Sequence, residues 1–593
     1  MYTLAIVIGI YSYVIFFLGI CGLLYKQYVI WGTVGYVLLV VVILCRNVGI
    51  YWINLLLSRK PLPTSPPLSS RQAPTSAPYQ GKSKAQSPPD KGDLGGLRIA
   101  SGLCLLTLFA LQAIINLIGT LGPELAFDAL WYHLTLPKIY LLYHKIFYIP
   151  GGLLYYSTMP KLTEMLYITA VSFGNETLAK LIHFSFGILT CYALYKLARK
   201  FFSPVVSLLA VVIFYSNLVV AWESITAYID LTRTFFEVLS ISAFINWFET
   251  KKKTWFILSA VLLGFAITTK ILAIGSLGIF IGLIVFVGIK KRHETVYPLS
   301  LKLRRAGKTL PAVIFPAIYN SIVYSIIALA IPLPWFIFSY FNTGNFFYPF
   351  FTKTYTVNSS VSLLNSVTFF HSLWGVFTHS PDPLSPVYIA FVPLLVFVVY
   401  KSVFGRSTNW RTTPTLVYAY AFFSLIVWYI TPNTGGGRFI LPYLPMYSLL
   451  IASLFTYLFS RWFKKMLFAI VIFTACTSIA YREMANKKYL PVILGKETKA
   501  HFLMNNLNFS FGDFYDTDNY FATHVKPTDK VLLFGFHNLY YVDFPFIDSS
   551  YVQKGEKFNY IAVQHDTISK EFRNFHLIYQ NKKTGVKLYT KNY

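Results

Sequence analysis

Acid is scarce in this chain. Its 593 residues include 23 Asp and Glu against 51 Lys and Arg, and charged residues of both signs together make up only 12%. With 55% hydrophobic residues and a mean hydropathy of +0.54, most of the length cannot form the water-facing surface of an ordinary soluble domain. Cysteine is scarce as well. Cys21, Cys45, Cys104, Cys191 and Cys476 lie in or beside apolar runs, which leaves no disulfide framework and no metal-ligand spacing, so they read as inert packing residues. The polar C-terminal stretch holds neither a P-loop nor a dinucleotide fingerprint. The first apolar run lacks a strongly basic leader and a small-residue cleavage site, and is expected to stay on the chain as an anchor.

What the chain has in abundance is apolar runs. Many approach the roughly 20 residues that a helix needs to cross a bilayer core. Lipid offers the backbone no hydrogen-bond partners, so these runs are expected to be helices. A net charge of +28 would suit a polyanion, but its distribution argues against nucleic acid. Basic residues gather in short segments between runs, among them Arg59 and Lys60, Arg199 and Lys200, 251–253, 290–292, Arg304 and Arg305, and Lys464 and Lys465. They recur at every second crossing, as the basic residues of cytoplasmic loops do. The pattern predicts about thirteen helices, with the N-terminus inside and the C-terminus outside.

Four parts are expected. Residues 1–57 form a helix pair, and residues 58–97, rich in Pro, Ser and Lys, read as a disordered cytoplasmic linker. Residues 98–482 hold the main transmembrane body. Its helices are predicted near 99–121, 177–198, 205–222, 231–248, 255–268, 271–289, 312–340, 385–403, 413–430, 439–460 and 466–482, with long outer loops at 122–176 and 341–384. In the first loop, 163–173 is expected to be a helix along the membrane surface. Residues 483–593 are polar, carry strand-like runs such as KVLLFGF (530–536) and FHLIYQN (575–581), and read as a small domain. The predicted fold class is an all-α polytopic membrane protein with a small C-terminal α/β extracytoplasmic domain.

Because acid is rare, each outer acid is informative. Asp128 lies in FDALWYHLTLPKIY (127–140), just beyond the apolar run 103–121, where water makes a carboxylate affordable and substrate can reach it. Glu124, Glu164 and Glu176 share its loop. Asp230 lies in AWESITAYIDLTRTFFEVL (221–239), where Arg233 three residues on also fits an ordinary cap and ion pair. Three cations stand outside against the inward bias: Lys138, Lys270 in FAITTKILA (265–273), and Arg438 in TPNTGGGRFILPYLP (431–445). Each can be a snorkelling anchor. Each can also hold a lipid-linked phosphate, Arg through a rigid fork and Lys as a point charge. The glycines at 435–437 would add free amide donors ahead of a helix. His133 reads either as a hydrogen-bonding residue or as a proton-transfer group, and with Asp128 alone it does not make a metal site.

FDALWYHLTLPK (127–138), TAYIDLTRTFF (226–236), GFAITTK (264–270), GNFFYPF (344–350) and GRFILPYLP (437–445) occur in an order and on a side of the membrane that resembles the glycosyltransferase-C superfamily. The closest likeness is to bacterial relatives of the protein O-mannosyltransferases and the aminoarabinose transferase. It covers about residues 98–593, including KVLLFGFHNLYYVDFPF (530–546). GNFFYPF departs from relatives, which commonly carry Pro after Gly-Asn. Only Glu124 stands in for the second acid that the mannosyltransferases place beside the loop Asp.

The resemblance implies an enzyme that moves a sugar from a polyprenyl-phosphate donor to a lipid, glycan or protein acceptor, with inversion. In that scheme Asp128 is the general base, while Arg438 and Lys270 bind the donor phosphate. Glu124, His133, Lys138, Asp230 and Tyr132 are further substrate-binding candidates. Tyr132, Trp131, Tyr155 and Tyr156 either pack on the sugar or mark the interface belt. No cofactor is implied with certainty, and a divalent metal stays open. Two other classes stay open too: a lipid-linked glycan polymerase or ligase, and a transporter or flippase for such a lipid. A transporter should carry inverted repeats with ionisable groups near midplane, whereas here the polar residues gather at the outer edge.

Overall fold

A computed structural model describes residues 1–57, 91–296, 310–352, 366–378, 383–390, 393–394, 396–397, 412–431, 436–457, 460–568, 570–572 and 574–591. Its body is helical. The chain opens with α1 (Tyr2–Ile20) and α2 (Lys26–Leu57), followed by α3 (Lys91–Leu121), α4 (Thr135–Leu142), α5 (Leu162–Phe173) and α6 (Glu176–Ala198). Next come α7 (Pro204–Tyr215), α8 (Leu218–Glu223), α9 (Asp230–Thr250), α10 (Lys253–Thr269), α11 (Ile274–Val296), α12 (Leu310–Ala330), α13 (Leu333–Thr343) and α14 (Ser366–Thr378). The body ends with α15 (Thr412–Ile430), α16 (Leu444–Tyr457) and α17 (Arg461–Asn486).

Among the described residues, five helices are long and apolar enough to cross a membrane, or six if the bent pair α12–α13 counts as one span. Length and composition alone therefore establish five or six spans, not the expected thirteen. The shorter apolar helices α7, α10, α15 and α16 make up part of the difference in position.

Several expected helices are broken, each for a local reason. The predicted helix 312–340 bends by 66° between α12 and α13. Pro332 and Pro334 lie at the bend, where proline withholds an N–H and crowds the preceding turn. The predicted helix 205–222 divides at Asn217, whose side chain accepts the Val219 N–H and starts α8. The predicted 439–460 begins with two 3₁₀ turns, Gly437–Phe439 and Leu441–Tyr443, before α16. At the predicted 385–403 the described part is a 3₁₀ turn, Pro386–Ala390, with helical residues at 393–394 and 396–397, and most of the rest lies outside the described residues. The predicted linker falls largely outside them as well, but its end does not: α3 starts at Lys91.

The segment expected on the membrane surface is instead buried. From Leu162 to Ala170 every residue of α5 is covered, and the helix packs against α1, α4 and α6. Its one acid, Glu164, is buried with it and meets His133 at 2.9 Å.

At the centre stands α9, buried on every face from Asp230 to Ile245. It pairs with α10 as an antiparallel hairpin turned at Lys251 and Lys252. The start of α9 and the end of α10 therefore meet, which brings Asp230 and Lys270 together across 40 residues of chain.

The C-terminal part contains the expected sheet: β1 (Val531–Phe534), β2 (Phe546–Asp548), β3 (Tyr560–Gln564), β4 (Phe575–Gln580) and β5 (Val586–Lys591). Its order is β2-β1-β3-β5-β4. The strand β1 is parallel to both neighbours, and β5 runs antiparallel to β3 and β4. Val531, Leu532 and Leu533 of β1, between β2 and β3, are fully buried.

Candidate functional site

The loop after α3 is fixed before it reaches Asp128. Three backbone carbonyls, Gly119 (2.9 Å), Gly122 (2.8 Å) and Pro123 (3.2 Å), accept from the Lys180 ammonium on α6. These include groups that a helix end leaves unpaired, and a cation there also suits the helix dipole. Glu124 does the converse work. Its carboxylate accepts the N–H groups of Leu125 and Ala126 (both 2.8 Å) and reaches across to the Ala227 N–H (2.6 Å). Burial pushes the Glu124 carboxyl up, although Lys180 and those N–H groups pull it the other way. Both Glu124 oxygens thus hold the 119–127 and 224–229 loops together.

Asp128 sits at the entry to a π-helical turn, Ala129–His133, a rare geometry that recurs at functional sites. One of its oxygens accepts from Arg438 (2.7 Å) and from the Tyr132 hydroxyl (3.2 Å), and its N–H donates to the Tyr228 hydroxyl (3.2 Å). Arg438 lies in the 3₁₀ turn before α16, with its guanidinium over the Tyr228 ring at 4.9 Å and its Nε 3.8 Å from Asp230. Gly436 and Gly437 lead into that turn, and Gly435 lies outside the described residues.

Asp230 opens α9 and accepts from Lys270 at 2.6 Å, while Lys270 follows the last turn of α10. An acid at a helix start and a cation at a helix end both suit the dipoles. The cap position anticipated for Asp230 is taken by Ile229, with Asp230 the first residue of α9, and Arg233 makes its close pair with Glu237 at 2.8 Å.

The result is an alternating row: Asp128, Arg438, Asp230, Lys270. Side-chain exposure is 14%, 19%, 2% and 15% in that order, so three of the four are partly open and Asp230 anchors them from below. Burial opposes the charge on Asp128, but Arg438, His133 and Lys270 outweigh it and hold the carboxyl below its usual range.

The other candidates divide. Tyr132 belongs to the row through its bond to Asp128. Its ring stacks on Tyr156 at 4.0 Å, Tyr155 stacks on the far side of Tyr156, and Trp131 meets Tyr156 edge-on. His133 faces away, with Nδ1 2.9 Å from the buried Glu164. Lys161, also buried in that region, has its ammonium pushed down to about 8 by burial, against the pull of Glu164. Lys138 turns to the C-terminal part, and among the described residues no three of His, Cys, Asp and Glu gather as a metal set. Tyr228, Lys180 and Glu164 were not singled out as site residues. Tyr228 had a signal, standing two residues before Asp230 in the same stretch, and Lys180 had none beyond being a cation in an apolar helix.

A body of apolar helices with this polar row defines a helical membrane protein with a partly exposed charged cluster. Over residues 164–301 the chain matches the family described as dolichyl-phosphate-mannose-protein mannosyltransferase, a segment that carries Asp230 and Lys270. The resemblance to the glycosyltransferase-C superfamily stands on that segment. Among solved structures, the chain is similar to ArnT from Cupriavidus metallidurans bound to undecaprenyl phosphate, at 11% identity and a TM-score of 0.49, covering 82% of this chain and 97% of that one. It is also similar to the oligosaccharyltransferase AglB from Archaeoglobus fulgidus, in complex with an inhibitory peptide and a dolichol-phosphate, at 11% identity and a TM-score of 0.42, covering 77% of this chain and 69% of that one. No curated protein sequence matches the chain.

Proposed function

We propose that this protein is a membrane glycosyltransferase that moves a sugar from a polyprenyl-phosphate donor to an acceptor hydroxyl at the extracytoplasmic face, inverting the anomeric centre. The observation that carries the proposal is the Arg438–Asp128 pair at 2.7 Å, with Asp230 and Lys270 continuing the row. A base and two phosphate-seeking cations are what such a displacement needs within one pocket. The acceptor oxygen attacks the anomeric carbon, and its proton passes to Asp128. The bond from that carbon to the phosphate oxygen breaks, and the electron pair stays on the phosphate. Arg438 and Lys270 stabilise that charge.

The pairing also supports an order of events. A carboxylate held by a guanidinium is a poor base, because its proton affinity is depressed. The donor phosphate, as a second anion, draws Arg438 away from Asp128 and so restores its basicity as substrate binds. Asp230 stays with Lys270 and keeps the cations in place. In this reading α2, α7, α9, α10, α15, α16 and the predicted span 385–403 also cross the membrane, which gives about thirteen spans and puts the sheet outside. Residues 1–57 are then a membrane-anchored addition to a catalytic body of 98–482, and 483–593 is the outer domain. The acceptor is a lipid, glycan or protein hydroxyl.

The test is transfer of labelled sugar from a polyprenyl-phosphate donor by the purified protein and its Asp128→Asn variant. The variant is expected to keep its fold and lose transfer by about 10²–10⁴-fold. A variant as active as the parent would show that Asp128 is not the base.

A further inference from the structure

Asp128 is bracketed by contacts from a distant part of the chain. The segment 540–543 follows β1 by a few residues and reaches the first outer loop on both sides of Asp128. Ahead of it, the Tyr541 hydroxyl donates to the Glu124 carbonyl (3.0 Å) and lies 3.2 Å from Glu176 at the start of α6. Behind it, the Tyr540 N–H donates to the Leu130 carbonyl inside the π-helical turn (3.2 Å). Further on, the Lys138 ammonium donates to the carbonyls of Tyr540 and Val542 (both 2.8 Å) and to Asp543 (2.5 Å). Lys499 completes the ring with a 2.6 Å pair to Glu176. None of these groups touches the Asp128 carboxylate.

We propose that segment 540–543, together with Lys138, is a positioning element that sets the π-helical turn and thereby the place of the Asp128 carboxylate. The proposal rests on the glycosyl-transfer reading for its kinetic consequence only. A π-helical turn is seldom the lowest-energy form of a helix and persists where its surroundings hold it. Here the holding groups are supplied from more than 400 residues away. A separate approach joins the same two parts of the chain further on: Gly151, at φ +99°, leaves no room for a Cβ, which would come within 1.9 Å of the Ser550 carbonyl oxygen. The carbonyls of Tyr540 and Val542 and the Tyr540 N–H are all spent on the loop.

The test uses the full chain and two variants, Lys138→Met and the milder Tyr541→Phe, with Lys138→Arg as the conservative control. Hydrogen exchange of the amides at 129–134 is expected to quicken in the first two while strands β1 and β3 keep their protection. In the transfer assay kcat falls by about 10- to 100-fold for Lys138→Met, as a misplaced reacting group implies, with the donor KM unchanged and Lys138→Arg recovering part of the loss. Unchanged exchange at 129–134, or loss of protection in the sheet instead, overturns the proposal. A parent protein that transfers no sugar defeats the functional reading, and the exchange result then still decides the clamp.

Discussion

Two clusters of charge lie along α9, and they are built from the same kinds of residue to opposite ends. The outer one is the row of Asp128, Arg438, Asp230 and Lys270. The inner one begins one turn further in, where Arg233 pairs with Glu237 at 2.8 Å. There, neutral hydroxyls finish the hydrogen bonding. Ser276 donates to Glu237 at 2.9 Å, Tyr420 donates to it at 2.8 Å, and Arg233 donates to Tyr443 at 3.0 Å. The inner pair is 4% and 0% exposed, and its partners come from α11, α15 and the turn before α16. The outer row is mostly charge against charge and is partly open. Closed charges hold helices together, whereas open ones that satisfy each other can be redirected to a ligand. Tyr443 links the two, since it sits five residues beyond Arg438 in the same segment.

The comparison can be broken first at the inner cluster. Glu237→Ala leaves a buried guanidinium without its partner and is expected to cost about 3–5 kcal/mol of stability. Thermal unfolding in detergent measures it, and a variant as stable as the parent would mean that the inner pair holds nothing.

A smaller effect should mark the outer row. The Asp128 carboxyl is depressed in the folded protein, so its contribution to stability is complete above its unfolded pKa of about 3.9 and is lost as pH falls through the lower folded value. The difference in melting temperature between parent and Asp128→Asn is therefore expected to be small and constant near neutrality and to vanish only in acid. A difference that vanished on raising the pH would show that some other group governs the pair.

Much of this is legible in the sequence. Rarity singled out Asp128, because an acid in so apolar a chain is costly unless it is used. Lys270 and Arg438 stood out as exceptions to the inward bias of cations, and both lie in the row. Periodicity and length also located most helices. They could not show that α5 is buried, because its acid, Glu164, reads as a water-facing residue until the fold brings His133 against it. The bend at Pro332 and Pro334 was written in IPLP (331–334) but competed with a continuous apolar run. Lys138 was expected near substrate. Its actual partners at 540–543 lie in a stretch that shares the resemblance, but nothing local pairs them with Lys138, since only the tertiary fold brings them together.

Binding of a polyprenyl phosphate without sugar, compared across three proteins, tests the central claim that Arg438 is shared between Asp128 and the donor. Arg438→Ala is expected to bind it about 10- to 100-fold more weakly than the parent, as the loss of a charge-assisted hydrogen bond implies. Asp128→Asn should bind it more tightly than the parent, because the competing carboxylate is gone. If Asp128→Asn instead weakens binding as much as Arg438→Ala does, the pair is a fixed structural unit and the proposed release of the base does not occur.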